Sequence, residues 1–211
     1  MRLMSHLPAV IVLSLAVATP VLGQREHRLP PPSTAECAAA SSAVRLRGKS
    51  YGEALFALSL CPVRGPDALL AEWAAPPTDP EELYGLGDAS RTMRDQRLLN
   101  RITTMAMADG TPSDLRDALV NVLVGYVARE VWVSIEDGCW EYTVSTASDL
   151  VTDGAQPLNR AQTDRKVLEI VRALESRGVL GTKAMCSQGL SQWLEWRINL
   201  VRPDLTRPLL R

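Results

Sequence analysis

Asp109-Gly110-Thr111-Pro112-Ser113-Asp114-Leu115-Arg116-Asp117-Ala118-Leu119 is the stretch that decides the fold class. Asp109-Gly110 turns the chain, and Pro112 presets the start of a new helix, where its missing N–H costs little. From there Leu115, Ala118, Leu119, Val122, Tyr126 and Val127 recur at the spacing of one broad helical stripe. Upstream, Leu98, Ile102 and Met105 are spaced by four and by three, so a second helix ends at the same turn. Two helices joined by so short a turn lie antiparallel. The chain is therefore expected to be mainly α and built from helical hairpins.

The same signals extend in both directions. Residues 36–46 are rich in alanine, and Ser50-Tyr51-Gly52-Glu53 has capping-box spacing, with Ser50 as N-cap and Glu53 reaching back. Tyr51, Leu55 and Leu58 then line one face as far as Cys61-Pro62. Gly65-Pro66 opens a helix whose buried stripe is Leu69, Leu70 and Trp73, and Pro76-Pro77 stops it. Asp79-Pro80-Glu81-Glu82 is another helix start, but Gly85 and Gly87 interrupt it. Residues 76–90 accordingly read as a connection with one short turn, and helix resumes from Ser90. Val131-Trp132-Val133-Ser134-Ile135 and Tyr142-Thr143-Val144 have strand composition around an Asp137-Gly138 turn signal. Because this segment continues a strong helix, a long or kinked helix is the preferred reading, and a small β-hairpin near 131–145 is the alternative. A loop spans 152–159. Val167, Ile170, Val171 and Leu174 stripe the next helix, with Gly178 placed as its C′ glycine. Leu190, Trp193, Leu194 and Val201 stripe the last, which ends at Pro203.

The turn Asp, the Pro near the second helix start and the run Leu115-Arg116-Asp117-Ala118 resemble the HEAT-repeat pattern. In that pattern Arg116 can pair with a turn aspartate, and Ala118 lets the helices approach closely. A weaker copy lies at 50–75, with Gly65-Pro66 in the turn and Ala68-Leu69-Leu70 after it, so the resemblance covers about residues 50–130. It implies a short HEAT-like stack, with an irregular bundle as the alternative, and it implies binding of other proteins.

Residues 1–23 have the pattern of a cleavable signal peptide. Arg2 is basic, and an apolar run from Leu7 to Ala18 is too short to span a bilayer as a helix. Pro20 follows, then Val21 and Gly23, the small residues a signal peptidase needs before Gln24. The expected organisation is a signal peptide at 1–23, a Pro-rich tail at 24–35, one helical domain at 36–202 and a C-terminal tail at 203–211. The expected location is secreted or periplasmic. Four cysteines, Cys37, Cys61, Cys139 and Cys186, in an exported chain point to two disulfides. Of the three pairings, Cys37–Cys61 with Cys139–Cys186 is preferred, because each bond then brackets a helical hairpin.

Composition excludes much chemistry. The chain has two histidines; His6 leaves with the signal peptide, and His27 falls in the tail. A Ser-His-Asp or Cys-His mechanism needs a histidine fixed beside its nucleophile, and zinc hydrolases need two or three. No P-loop is present, since Gly178-Val179-Leu180-Gly181-Thr182-Lys183 departs from its spacing. Near-balanced charge gives no reason to expect nucleic acid as partner, and neither a cofactor nor a metal is expected. Carboxylates remain: Glu130, Glu136, Asp137 and Glu141 cluster near Trp132, Trp140 and Tyr142, a combination that sugar-cleaving enzymes use. Trp196 falls off the final helix's stripe and is the candidate partner contact. The preferred expectation is a non-catalytic module that binds a protein or peptide. The alternative is a small cell-wall or polysaccharide hydrolase using Glu130, Glu136 or Glu141.

Overall fold

The structure is a computed structural model that describes residues 31–48, 50–127, 132–136, 139–143, 151–180 and 189–201, with only the backbone pairing given for 132–143. The order is α1 (Thr34–Leu46), α2 (Tyr51–Ser59), α3 (Gly65–Ala74), α4 (Pro80–Thr92), β1 (Met93–Arg94), α5 (Gln96–Met107), α6 (Ser113–Val127), β2 (Trp132–Glu136), β3 (Cys139–Thr143), β4 (Thr152–Asp153), α7 (Arg160–Ser176) and α8 (Leu190–Val201). The described residues are mainly helical, and their helices pack as antiparallel hairpins. The expected signal peptide, most of the Pro-rich tail and the C-terminal tail lie outside the described residues.

The centre is α6, which packs on α4, α5 and α7. Its stripe is wider than the sequence pattern suggested, since Leu119, Val120, Val122, Leu123, Val124 and Tyr126 are all buried. A fully buried Leu or Val contributes roughly 1.5–3 kcal/mol, so α6 is the energetic hub of the domain. Trp73, 0 % exposed, is the largest fully buried side chain. Its indole N–H donates to Ser90 Oγ at 2.7 Å, Ser90 Oγ donates to the Leu86 carbonyl at 2.8 Å, and the Tyr126 hydroxyl donates to the Ser90 carbonyl at 2.9 Å. Each polar group carried into the core by an aromatic ring thus finds a partner.

Three expectations are corrected. Residues 80–92 are a full helix. Asp79 caps it by accepting from the Glu81 and Glu82 N–H groups, and the helix runs unbroken through Gly85 and Gly87. A Cβ on Gly85 would lie 3.4 Å from the Gly52 Cα, an ordinary contact distance across the α2–α4 interface. The preferred helix over 131–146 gives way to its alternative, the antiparallel hairpin β2–β3, in register Trp132↔Thr143 through Glu136↔Cys139. Its β-branched and aromatic composition outweighs continuity with α6. Ser50 makes no side-chain cap; the capping box sits at Ser33 and Glu36, opening α1.

Other expectations hold. Val167, Ile170, Val171 and Leu174 are buried along α7. Gly178 has φ +64°, and its N–H reaches the Glu175 carbonyl while the Val179 N–H reaches that of Leu174. That pair of bonds is a Schellman motif, which needs a left-handed residue and so favours glycine. Cys37 and Cys61 are joined by a disulfide, tying α1 to the end of α2. The Cys139–Cys186 pairing lies outside the described residues. No described helix is long and apolar enough to cross a membrane.

Candidate functional site

Trp196 is placed by the capping and packing of its helix. The Glu175 carboxylate of α7 accepts from the Ser191 N–H at 2.9 Å and from the Ser191 hydroxyl, so a negative charge sits against the N-terminus of α8. Leu194 and Ile198 are buried and fix which side of α8 faces the core, with Trp193 packed partly against it. Trp196 lies two residues beyond Leu194, roughly 200° around the helix, and is 56 % exposed. Beside it in sequence, Glu195 accepts from Arg172 of α7 at 2.6 Å, which clamps the two helices under the tryptophan's helix turn.

A second exposed aromatic, Tyr84, was missed because 76–90 was read as a connection; the signal Asp79-Pro80-Glu81-Glu82 was present. It stands 48 % exposed over a shallow groove between α4 and α6, with Asp88, Arg91, Asn121 and Val122. Arg91 is paired with Asp88, and its stem lies against Gly125, where a Cβ would fall 2.2 Å from the Arg91 Cδ. Gly125 therefore makes room for the arginine. The groove has a cavity volume of about 20 Å³, far below the usual range for sites that enclose a small molecule.

The carboxylates are only partly brought together. Glu130 lies outside the described residues. Glu136 and Glu141 are on β2 and β3, and the pairings Ser134↔Glu141 and Glu136↔Cys139 put positions 136 and 141 on one face of the ladder, diagonal to each other. Positions 133, 135, 140 and 142, all apolar or aromatic, share the other face. Among the described residues no group of three metal-ligating side chains could hold an ion.

The densest polar cluster is at the start of α5. Asp95, 0 % exposed, accepts from the Arg97 backbone N–H at 2.9 Å, from Arg97 Nε at 3.0 Å and from the Gln156 N–H at 3.1 Å. This raises the Arg97 pKa, chiefly through the Asp95 hydrogen bond, and Arg97 reaches on to Asp67 at 2.6 Å. Arg94 donates to the Tyr126 and Gly125 carbonyls at 3.0 and 3.3 Å and stacks over the Tyr126 ring. Burial pushes the Tyr126 hydroxyl well above the ordinary phenol range. Apart from the exposed Arg97–Asp67 pair, the hydrogen bonds described here run to neighbouring chain segments, so the cluster organises the fold.

Compared with protein-family models, with curated proteins and with solved structures, the chain matches none.

Proposed function

We propose that the chain is an exported, non-catalytic helical module that binds a protein or peptide, with Trp196 as a contact residue. The observation that carries this reading is Trp196 itself, more than half exposed on a helix whose other side is buried. Tryptophan and arginine are the side chains most enriched among energetically dominant interface contacts, and Arg172 stands one helix away, anchored by Glu195. Export is supported by the Cys37–Cys61 disulfide, a bond that persists in oxidising compartments. The helical hairpin α5–α6 supports the HEAT-like reading, in which stacked hairpins offer a binding face. The test is affinity capture from the exported compartment with residues 24–211 as bait, run beside Trp196→Ala. A specific partner lost on substitution, with helical content unchanged, supports the reading; equal recovery by both baits refutes Trp196 as the contact.

The hydrolase reading keeps one supporting observation, the shared ladder face of positions 136 and 141. Digestion of peptidoglycan or glycan by the purified domain, abolished in Glu136→Gln or Glu141→Gln, would replace the binding proposal. No digestion across several pH values removes this alternative.

A further inference from the structure

We infer that α1 is a latched arm: the Cys37–Cys61 disulfide holds it on α2, Arg47 is its hinge, and reduction by a dithiol releases it. This is independent of the binding reading above. The extensive packing of α1 is with α2 alone, whereas α6 packs on α4, α5, α7 and α8. Of the 13 residues of α1, Cys37, Ala40 and Val44 are buried, and one of these is the latch itself. Two small side chains, with Ala43 partly covered beside them, leave little apolar surface to oppose the freedom that an undocked helix regains.

The two ends of α1 are held by different chemistry. Near its start the bond is covalent. At its end Arg47 adopts the left-handed conformation, φ 43°. Its guanidinium binds Glu72 at 3.1 Å and approaches Glu82 at 3.9 Å, and it lies 5.6 Å over the Tyr51 ring. Glu72 also accepts from the Tyr51 hydroxyl at 2.7 Å, so the ionic end is tied to α2 and α3 without α1. Cutting the covalent end leaves a helix tethered at Arg47, free to swing off α2 and bare the apolar surface it covers.

The step balances as ordinary thiol–disulfide exchange. A thiolate of the reductant attacks one sulfur and forms a mixed disulfide. The reductant's second thiol then closes its own disulfide, and Cys37 and Cys61 leave as two thiols, having taken up two electrons and two protons. Cys37 is 6 % and Cys61 1 % exposed, so attack waits for α1 to open locally.

Hydrogen exchange on the folded protein tests this. Because a dithiol acts on all four cysteines, the Cys37→Ala/Cys61→Ala variant isolates the one bond. In that variant, exchange across 34–46 should rise by about tenfold or more while α4 to α7 keep their protection. Dithiol-treated, alkylated wild type should reproduce the loss at 34–46 and bind more of a hydrophobic dye. Retained protection at 34–46 in the variant overturns the proposal, and so does a variant in which α1 and α6 lose protection together.

Discussion

Two junctions on either side of α5 do the same job by opposite means. Where α5 meets α6, the chain turns locally at 108–112. The Thr111 hydroxyl donates to the Met105 carbonyl at 2.6 Å, and Arg116 donates to those of Ala106 and Ala108 at 3.2 and 2.9 Å. Arg177, the C-cap of α7, donates to that of Met107 at 2.8 Å and pairs with Asp109. The carbonyls that a helix end leaves without partners are thus covered, mostly by neighbours in sequence. Where α4 meets α5, Arg97 is a local partner of Asp95, but the rest come from far along the chain. β1 pairs in parallel with β4, the Gly154 N–H donates to the Arg94 carbonyl, and the Gln96 N–H donates to that of Gln156. Asp95 is sealed beneath them. The first junction is closed by its own residues, buried Arg116 included, whereas Asp95 adds to its neighbour Arg97 a partner from a distant segment, the Gln156 N–H.

The difference can be broken first at Asp95. Asp95→Ala should cost about 3–5 kcal/mol, because it leaves buried N–H groups and part of the Arg97 charge without their partner. A denaturant or thermal melt reads this. Gly154→Ala attacks the same place from the other side. A Cβ there would fall 2.4 Å from an Asp95 carboxylate oxygen, so about 1–3 kcal/mol of overpacking is expected. If either variant melts like wild type, the clasp is not holding the junction. Arg116→Ala should lose about 1.5–3 kcal/mol, since two carbonyls give up a charged donor; a loss larger than that of Asp95→Ala would reverse the comparison. The smallest effect is at the exposed cap of α1. The Ser33 hydroxyl and N–H hold the Glu36 carboxyl below the usual range, so the cap's contribution is present above the unfolded carboxylate pKa and lost as pH falls through the lowered folded value. Titration by NMR should show the Glu36 pKa return upward in Ser33→Ala.

The contrast also explains what could be read in advance. The α5–α6 hairpin was legible because turn, proline and stripe lie within one stretch. Yet the expected partner of Arg116 was a turn aspartate, and the arginine chose helix carbonyls instead, while Asp109 went to Arg177. Schellman chemistry at Gly178 was legible for the same local reason. Gly85 and Gly87 misled because a glycine in isolation signals a break, yet the helix capped by Asp79 runs through both. At the Arg94–Asp95 junction only the N-cap of Asp95 on Arg97 was a local signal; the other partners, Gly125, Tyr126 and the segment 153–156, stand about thirty to sixty residues away. Of the site, the exposure of Trp196 followed from helix phase alone; Tyr84 required knowing that α4 exists.

The two-residue pairing of β1 with β4 has one more consequence, for the sequence of events in folding. It sews shut the base of a long loop that contains α5, α6 and β2–β3. Contacts of high sequence separation carry the greatest closure entropy, so the hairpin is expected to assemble early and the seam to close last. Asp95→Asn should then accelerate unfolding while leaving the refolding rate nearly unchanged, whereas Arg116→Ala should slow refolding. The shorter of the two sheets among the described residues is in this sense the fold's clock: it marks when the rest has already come together.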